Sequence, residues 1–446
     1  MTHNVFYKNS GELKGYVYTP FFDFRFAAVK VEDYRIKSVK YCMPGDGLPE
    51  IMSDDKKIRE YFLLKEKPYP MILPGLVDVH LHGAAGFDIC DASKESFHRI
   101  DEYEKNSGIA AYLGTTMTLP VQDLEKICLA AKSINWGQTP MKNWGQTPME
   151  DATNGDRPQY EANGDRPRFY PAGLVGLFLE GPFVSKKKCG AQNPDYAINP
   201  DFDLIMRLNE MSGGLIRKVL VAPELDGTEE FVMSTKEDGE RQLLESKDWF
   251  TKHIVMSTES EQHYVSPCIH ITFGHTECDY DRAIKMMDLG VNQITHMYNA
   301  MPAFDKRNPG LIGAALDKNC YTELICDGVH VHDSVVRATF EMVSDDRLVL
   351  ISDSTMATGL PDGPATLGGT PVNVVTDGVR MVTLPDGTIA GSATNLFDCM
   401  LHAIKSGVPV SKAIRAASIN PARSIGIDEG YGSIEKGKCA LLNILL

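Results

Sequence analysis

An α/β architecture is predicted: a (β/α)8 TIM-like barrel plus a small β-sandwich domain built from both chain ends. Three observations predict it. Apolar segments of strand length recur eight times between residues 76 and 354, separated by helical or loop segments. Those strands are apolar almost throughout, as parallel strands covered on both faces are. Alternating β patterns then stand at the two ends of the 446-residue chain, outside the eight units.

Residues 1–72 carry the short alternating runs GYVYTPFFDF, AAVKVEDYRI and KSVKYCMP between turn residues, the N-terminal part of the small β domain. Residues 73–364 form the barrel. Its strands are LVDVHLH, AAYLGTTMTLP, GLVGLFLEG, KVLVAPE, CIHITFGH, QITHMYNA, ELICDGVHV and LVLISDS, and segments such as DRAIKMMDLG and SVVRATFEMVS show helical apolar spacing. Residues 365–446 hold the end of the barrel and the C-terminal part of the β domain. There β signals return in PVNVVTDGVRMVTLPDGTIAG, a helix is predicted over 393–406, and the closing GSIEKGKCALLNILL rejoins the N-terminal β unit.

Two insertions interrupt the barrel, at about 135–168 and 234–264. The first repeats NWGQTPM and NGDRP in tandem and holds two of the three tryptophans. It is read as an expanded surface segment, because so Gly- and Pro-rich a stretch buries too little apolar area to order itself. The second is polar and predicts its own helix.

Composition excludes several classes. A net charge of −15 argues against nucleic-acid binding, which calls for a basic face. No 18-residue apolar run and no leader pattern in MTHNVFYKNSGELKGYV is found, so no membrane association is expected. Ten cysteines scattered without a CxxC pair predict reduced thiols and a cytoplasmic location.

In a barrel of this kind the loops at the C-terminal strand ends build the active site. Those ends carry His80 and His82 on the first strand, Glu180 on the third, His275 on the fifth, His296 on the sixth, His330 on the seventh and Asp353 on the eighth. Imidazoles and carboxylates without thiolates are the donors of a divalent-metal hydrolase. Two-residue spacing along a strand turns His80 and His82 to one face, where both can meet one ion. His253, His263 and His270 do not stand at strand ends and are read as structural; Glu224 in APE is read as a supporting carboxylate.

The motifs PGLVDVHLHG (74–83), LEGPFVSKKKCGAQNP (179–194), FGHTECDYD (273–281), THMYNAMPAFDKRNPG (295–310), CDGVHV (326–331), ISDSTMATG (351–359) and AGSATNL (390–396) resemble those of the amidohydrolase superfamily. Within it, LEGPF with THMYNAM is similar to the N-acetylglucosamine-6-phosphate deacetylases. The resemblance implies that Glu180, His275 and His296 hold a principal metal. It also implies that His80 and His82, with Glu180 as a bridge and Asp353 nearby, complete a second site. One or two divalent ions are thus expected, zinc first, with iron, manganese or cobalt as alternatives.

By the same resemblance Asp353 is the general base and then the general acid. Gln192 stands where many relatives have histidine and is a candidate donor to the substrate carbonyl. Arg307, Asn299 and the Ala300 backbone N–H are the expected phosphate contacts, and His330 the sugar contact. The expected substrate is a phosphorylated amino sugar: N-acetylglucosamine 6-phosphate, or alternatively N-acetylgalactosamine 6-phosphate or another acylated amino sugar. A homodimer is implied as well. A non-catalytic scaffold is the remote alternative, disfavoured because every candidate position keeps a ligand-type residue. One departure is Leu441, where relatives usually carry aspartate.

Overall fold

A computed structural model describes residues 2–42, 52–134, 172–245 and 269–446. The tandem repeats of the first insertion lie outside these residues, as do His253, His263 and the later part of the second insertion. The early part of the second insertion continues the helix Thr228–Glu245.

In chain order the strands are β1 (His3–Phe6), β2 (Ser10–Tyr18), β3 (Phe24–Glu32), β4 (Arg35–Tyr41), β5 (Met71–Pro74), β6 (Leu76–Leu81), β7 (Gly83–Ala84), β8 (Phe87–Asp88), β9 (Ile109–Thr116) and β10 (Gly173–Phe183). They continue with β11 (Ile216–Val221), β12 (His270–Phe273), β13 (Gln293–Ile294), β14 (Tyr321–Ile325), β15 (Leu348–Ile351), β16 (Gly363–Leu367), β17 (Thr370–Asp377), β18 (Val379–Thr383) and β19 (Leu442–Leu445).

Eight of them form one parallel sheet in the order β6-β9-β10-β11-β12-β13-β14-β15. Its two edges meet just beyond the last strand. Leu81 bridges Ser354 in parallel, and the Asp353 N–H donates to the His80 carbonyl at 3.0 Å. The His82 N–H donates to the Ser354 carbonyl at 2.8 Å. The predicted barrel is therefore present, and its seam brings the first and eighth strand ends side by side. Every residue of β6, β9 and β15 is buried, the physical reason these segments read as largely apolar runs.

Helices between the strands start where a side chain satisfies an open N–H. Ser93, Asp201, Asp279 and Asn395 cap Lys94–Asn106, Phe202–Ser212, Tyr280–Met287 and Leu396–Ser406 in this way. Gly213 and Gly407 end two of them in the left-handed conformation that glycine adopts without cost.

A six-stranded sheet in the order β1-β19-β5-β2-β3-β4 joins both chain ends, with β19 between β1 and β5. Leu441, just before β19, is fully buried among Val77, Ala111 and Ile351, a setting in which an unpaired carboxylate would be costly. The segment after the eighth strand behaves differently from the closing one. β16, β17 and β18 form a separate antiparallel sheet that packs Leu367, Val374 and Val382 with Met117 and Ala357, near the C-terminal ends of β9 and β15. Among the described residues no helix is long and apolar enough to cross a membrane.

Candidate metal centre and active site

The strand-end residues converge on Glu180, three residues before the end of β10. Its Oε1 lies 3.0 Å from His296 Nε2, 3.2 Å from His275 Nε2 and 3.3 Å from His80 Nε2. Its Oε2 lies 3.2 Å from His82 Nε2. Asp353 Oδ1 faces the same pair from the other side, 3.5 Å from His80 Nε2 and 3.3 Å from His82 Nε2. All six residues are buried. Two compact donor groups result, Glu180/His275/His296 and His80/His82/Asp353, with the donor atoms of each within 4.8 Å of one another.

The backbone is bent to achieve this. His275, His296 and Asp353 have φ of 44°, 31° and 50°, in the left-handed region that non-glycine residues seldom occupy. Each follows its strand directly or nearly so, and the turn swings the side chain over the barrel axis. Such strain persists where the surrounding fold over-determines it.

The arrangement fits a cation. His275 Nδ1 lies 2.8 Å from the Lys188 carbonyl, which only accepts, so Nδ1 carries the proton and Nε2 the lone pair. That lone pair points at the Glu180 carboxylate and at His296 Nε2, 3.1 Å away. Electron pairs aimed at an anion at this distance repel unless positive charge stands between them. His80 repeats the pattern: Nδ1 is 3.2 Å from Glu323 Oε2, while the buried Nε2 has no hydrogen-bond partner.

The field agrees. Burial would lower His82, but Asp353 and Glu180 push it up to about 9, and His80 is raised as well. Burial would raise Glu180, yet the neighbouring imidazoles of His80, His275 and His296 hold it well below the usual carboxylate range. Asp353 is likewise held low by His80 and His82 against its burial. Two ionised carboxylates in a dry pocket that stabilises positive charge are the setting a divalent ion needs.

The other predicted residues surround this core unevenly. Gln192 is buried against it: its Nε2 donates to Glu180 Oε2 at 2.7 Å and its Oε1 accepts from the Thr118 N–H at 2.5 Å. His330 Nδ1 bonds Asp327 Oδ2 at 2.7 Å, and Asp327 Oδ1 accepts the N–H groups of Val329 and His330. Asn299 turns its amide nitrogen back to the carbonyls of His296 and Met297. Ala300, at φ 49°, lies beside the Gly190 turn, which also borders His275. Arg307 stands apart on the exposed loop after β13, where its guanidinium forms no ion pair with a described residue. Glu224 accepts from the Thr276 hydroxyl and the Glu277 N–H, a bracing role, and His270 opens β12 at the far end of that strand.

Several partners escaped the sequence reading: Glu323, Lys218, Asp327 and Thr118. A lysine within KVLVAP and a glutamate within ELIC were the available signals, because a charge inside an otherwise apolar barrel strand must find a partner.

The amidohydrolase family matches residues 175–446, more than half of the chain. The protein belongs to the amidohydrolase family. That span contains Glu180, His275, His296 and Asp353 of this amidohydrolase, whereas His80 and His82 precede it. Among curated relatives, N-acetylglucosamine-6-phosphate deacetylase of Bacillus subtilis (strain 168) is 29% identical over 94% of this chain and 91% of its own. N-acetylgalactosamine-6-phosphate deacetylase of Escherichia coli O157:H7 is 28% identical over 84% of this chain and 83% of its own. Among solved structures, an N-acetyl-D-glucosamine-6-phosphate deacetylase variant from Mycobacterium smegmatis, in complex with N-acetyl-D-glucosamine-6-phosphate, is similar at 25% identity. Its TM-score is 0.74, covering 98% of this chain and 95% of that one.

Proposed function

We propose that this amidohydrolase removes the acetyl group of N-acetylglucosamine 6-phosphate, giving glucosamine 6-phosphate and acetate. One observation carries the reading: Glu180 gathers four imidazole Nε2 atoms within 3.3 Å, with Asp353 facing two of them. The relatives of both kinds, similar over nearly the full chain, supply the substrate class.

In this reading Glu180, His275 and His296 hold a divalent ion, and His80 and His82 hold a second beside Asp353. Zinc suits the donors first; iron, manganese and cobalt accept the same set. A bound ion of this kind supplies Lewis acidity and lowers the pKa of its water from about 15.7 toward 7. Asp353 takes a proton from the attacking water and returns it to the amine as the C–N bond breaks. Held ionised by His80 and His82, it is in the state a proton acceptor requires. Gln192 orients Glu180 through its amide, and His330, steadied by Asp327, meets the sugar.

Arg307, with Asn299 and the Ala300 N–H, takes the phosphate; its planar fork suits bidentate phosphate binding. Its exposure also suits a homodimer in which the guanidinium reaches across the subunit contact. A cytoplasmic location goes with this reading, supported by nine described cysteines that are all free thiols.

A second reading keeps the chemistry and changes the sugar to N-acetylgalactosamine 6-phosphate, and the Escherichia coli O157:H7 relative favours it. The test is metal analysis of the purified protein together with acetate release from both 6-phosphosugars. Faster release from the gluco substrate is expected. Faster release from the galacto substrate selects the second reading, and no acetate from either, metal replete, overturns both.

A further inference from the structure

Below the metal-ligating layer lies a buried charge pair that the proposed chemistry does not use. Lys218 of β11 and Glu323 of β14 reach each other across the barrel interior, although their strands are not neighbours. Both are buried, Lys218 completely. Glu323 Oε1 takes the Lys218 ammonium, while Oε2 lies 3.2 Å from His80 Nδ1 and accepts the His296 N–H at 3.4 Å. Phe178 of β10 walls this chain: its ring meets His80 edge-on at 4.9 Å, and the Lys218 Nζ sits 4.2 Å over its centroid.

We propose that Glu323 and Lys218 are positioning residues that hold His80 protonated on Nδ1, with its Nε2 lone pair free to ligate, and so set the affinity of the His80/His82/Asp353 pocket for its ion. The proposal rests on the metal reading above. An ionised carboxylate only accepts hydrogen bonds, so the proton of His80 is fixed on Nδ1 and the lone pair on Nε2. That Nε2 faces Glu180 Oε1 and Asp353 Oδ1. A carboxylate behind a metal-ligating imidazole also raises its basicity and orients its ring, and losing such a partner typically weakens metal binding ~10–100-fold.

Lys218 makes the device affordable in a dry interior. A lone buried carboxylate would be severely unfavourable, whereas the Lys218–Glu323 pair adds no net charge beneath the ions. The other imidazoles lack this support. His275 leans on a backbone carbonyl, and the buried Nδ1 atoms of His82 and His296 have no partner among the described residues. Among the described residues, His80 alone of the four has a carboxylate behind it.

The test compares wild type, Glu323→Gln and the double variant Lys218→Met/Glu323→Leu, which removes both charges together and guards against a fold lost to one unpaired charge. Zinc titration into metal-free protein by calorimetry reads affinity and stoichiometry, and 15N NMR of histidine-labelled protein reads the His80 tautomer. The wild type is expected to show His80 protonated on Nδ1 and to bind zinc in two classes. Both variants are expected to lose ~10–100-fold in one class, retain the other, and show a mixed His80 tautomer. Variants that bind zinc as the wild type does, in number and affinity, overturn the proposal, as does a wild-type His80 protonated on Nε2. A wild type that takes up no divalent ion overturns the metal reading itself and this inference with it.

Discussion

Gln192 joins Thr118 to Glu180: its amide nitrogen donates to the Glu180 carboxylate over 2.7 Å while its oxygen accepts the Thr118 N–H. The side chain is thereby committed at both ends. Its first effect is on the carboxylate that bridges the two donor groups. Gln192→Leu leaves the buried Thr118 N–H unpaired and takes one donor from the Glu180 carboxylate, which costs about 1–3 kcal/mol. A lower melting temperature of the metal-free protein is expected, and an unchanged melting curve would refute this role.

Asp353→Asn keeps the shape of the side chain and removes its ability to take a proton. Turnover is expected to fall about 10²–10⁴-fold, the range that general acid–base catalysis contributes. Metal analysis should find the ion at Glu180, His275 and His296 retained. Near-normal kcat in this variant would displace Asp353 as the base.

Arg307→Ala removes a charged fork from an exposed loop. KM for the 6-phosphosugar is expected to rise about 10–100-fold, matching the loss of about 1.5–3 kcal/mol for bonds to a charged group. The non-phosphorylated sugar should be hydrolysed as before. An equal loss on both substrates would remove the phosphate assignment.

Stability should depend on pH through His270, remote from the metal centre. Burial, with Arg217 and Lys218 nearby, lowers its imidazole to about 4, against about 6.5 in an unfolded chain. Between those values the unfolded chain binds the extra proton, so unfolding free energy falls as pH drops from 6.5 toward 4 and is fully recovered above 6.5. Urea unfolding of wild type and His270→Gln across this range measures it; the variant should show a flatter dependence. Parallel curves would mean His270 carries none of it.

The strand-end histidines were legible because a barrel strand announces itself by a largely apolar run and its C-terminal end by a shift to polar residues. His80, His82, Glu180, His275, His296 and Asp353 all follow that rule. Lys218 and Glu323 were not, because they break it. Each sits inside a strand, and pairing between β11 and β14 depends on barrel closure, which no local pattern encodes. The destination of residues 371–391 was obscure for a similar reason: alternation marks a strand but not the sheet it joins, and β17 and β18 pair with β16 instead of β4. Gln192 was visible as a polar residue in the right loop, but its two partners depend on how that loop folds back over β9 and β10.

The left-handed backbone at His275, His296 and Asp353 bears on how this enzyme can be altered. Aspartate, asparagine and histidine tolerate that conformation better than most residues, and β-branched or bulky side chains tolerate it poorly. A mutagenesis library at these three positions is therefore filtered twice, once by what can bind an ion and once by what the main chain will accept. Most of its members should be lost as misfolded protein before any catalytic question is asked. Attempts to give the scaffold a new metal or a new reaction will travel further through Gln192 and Arg307 themselves, whose main chain is not in that conformation.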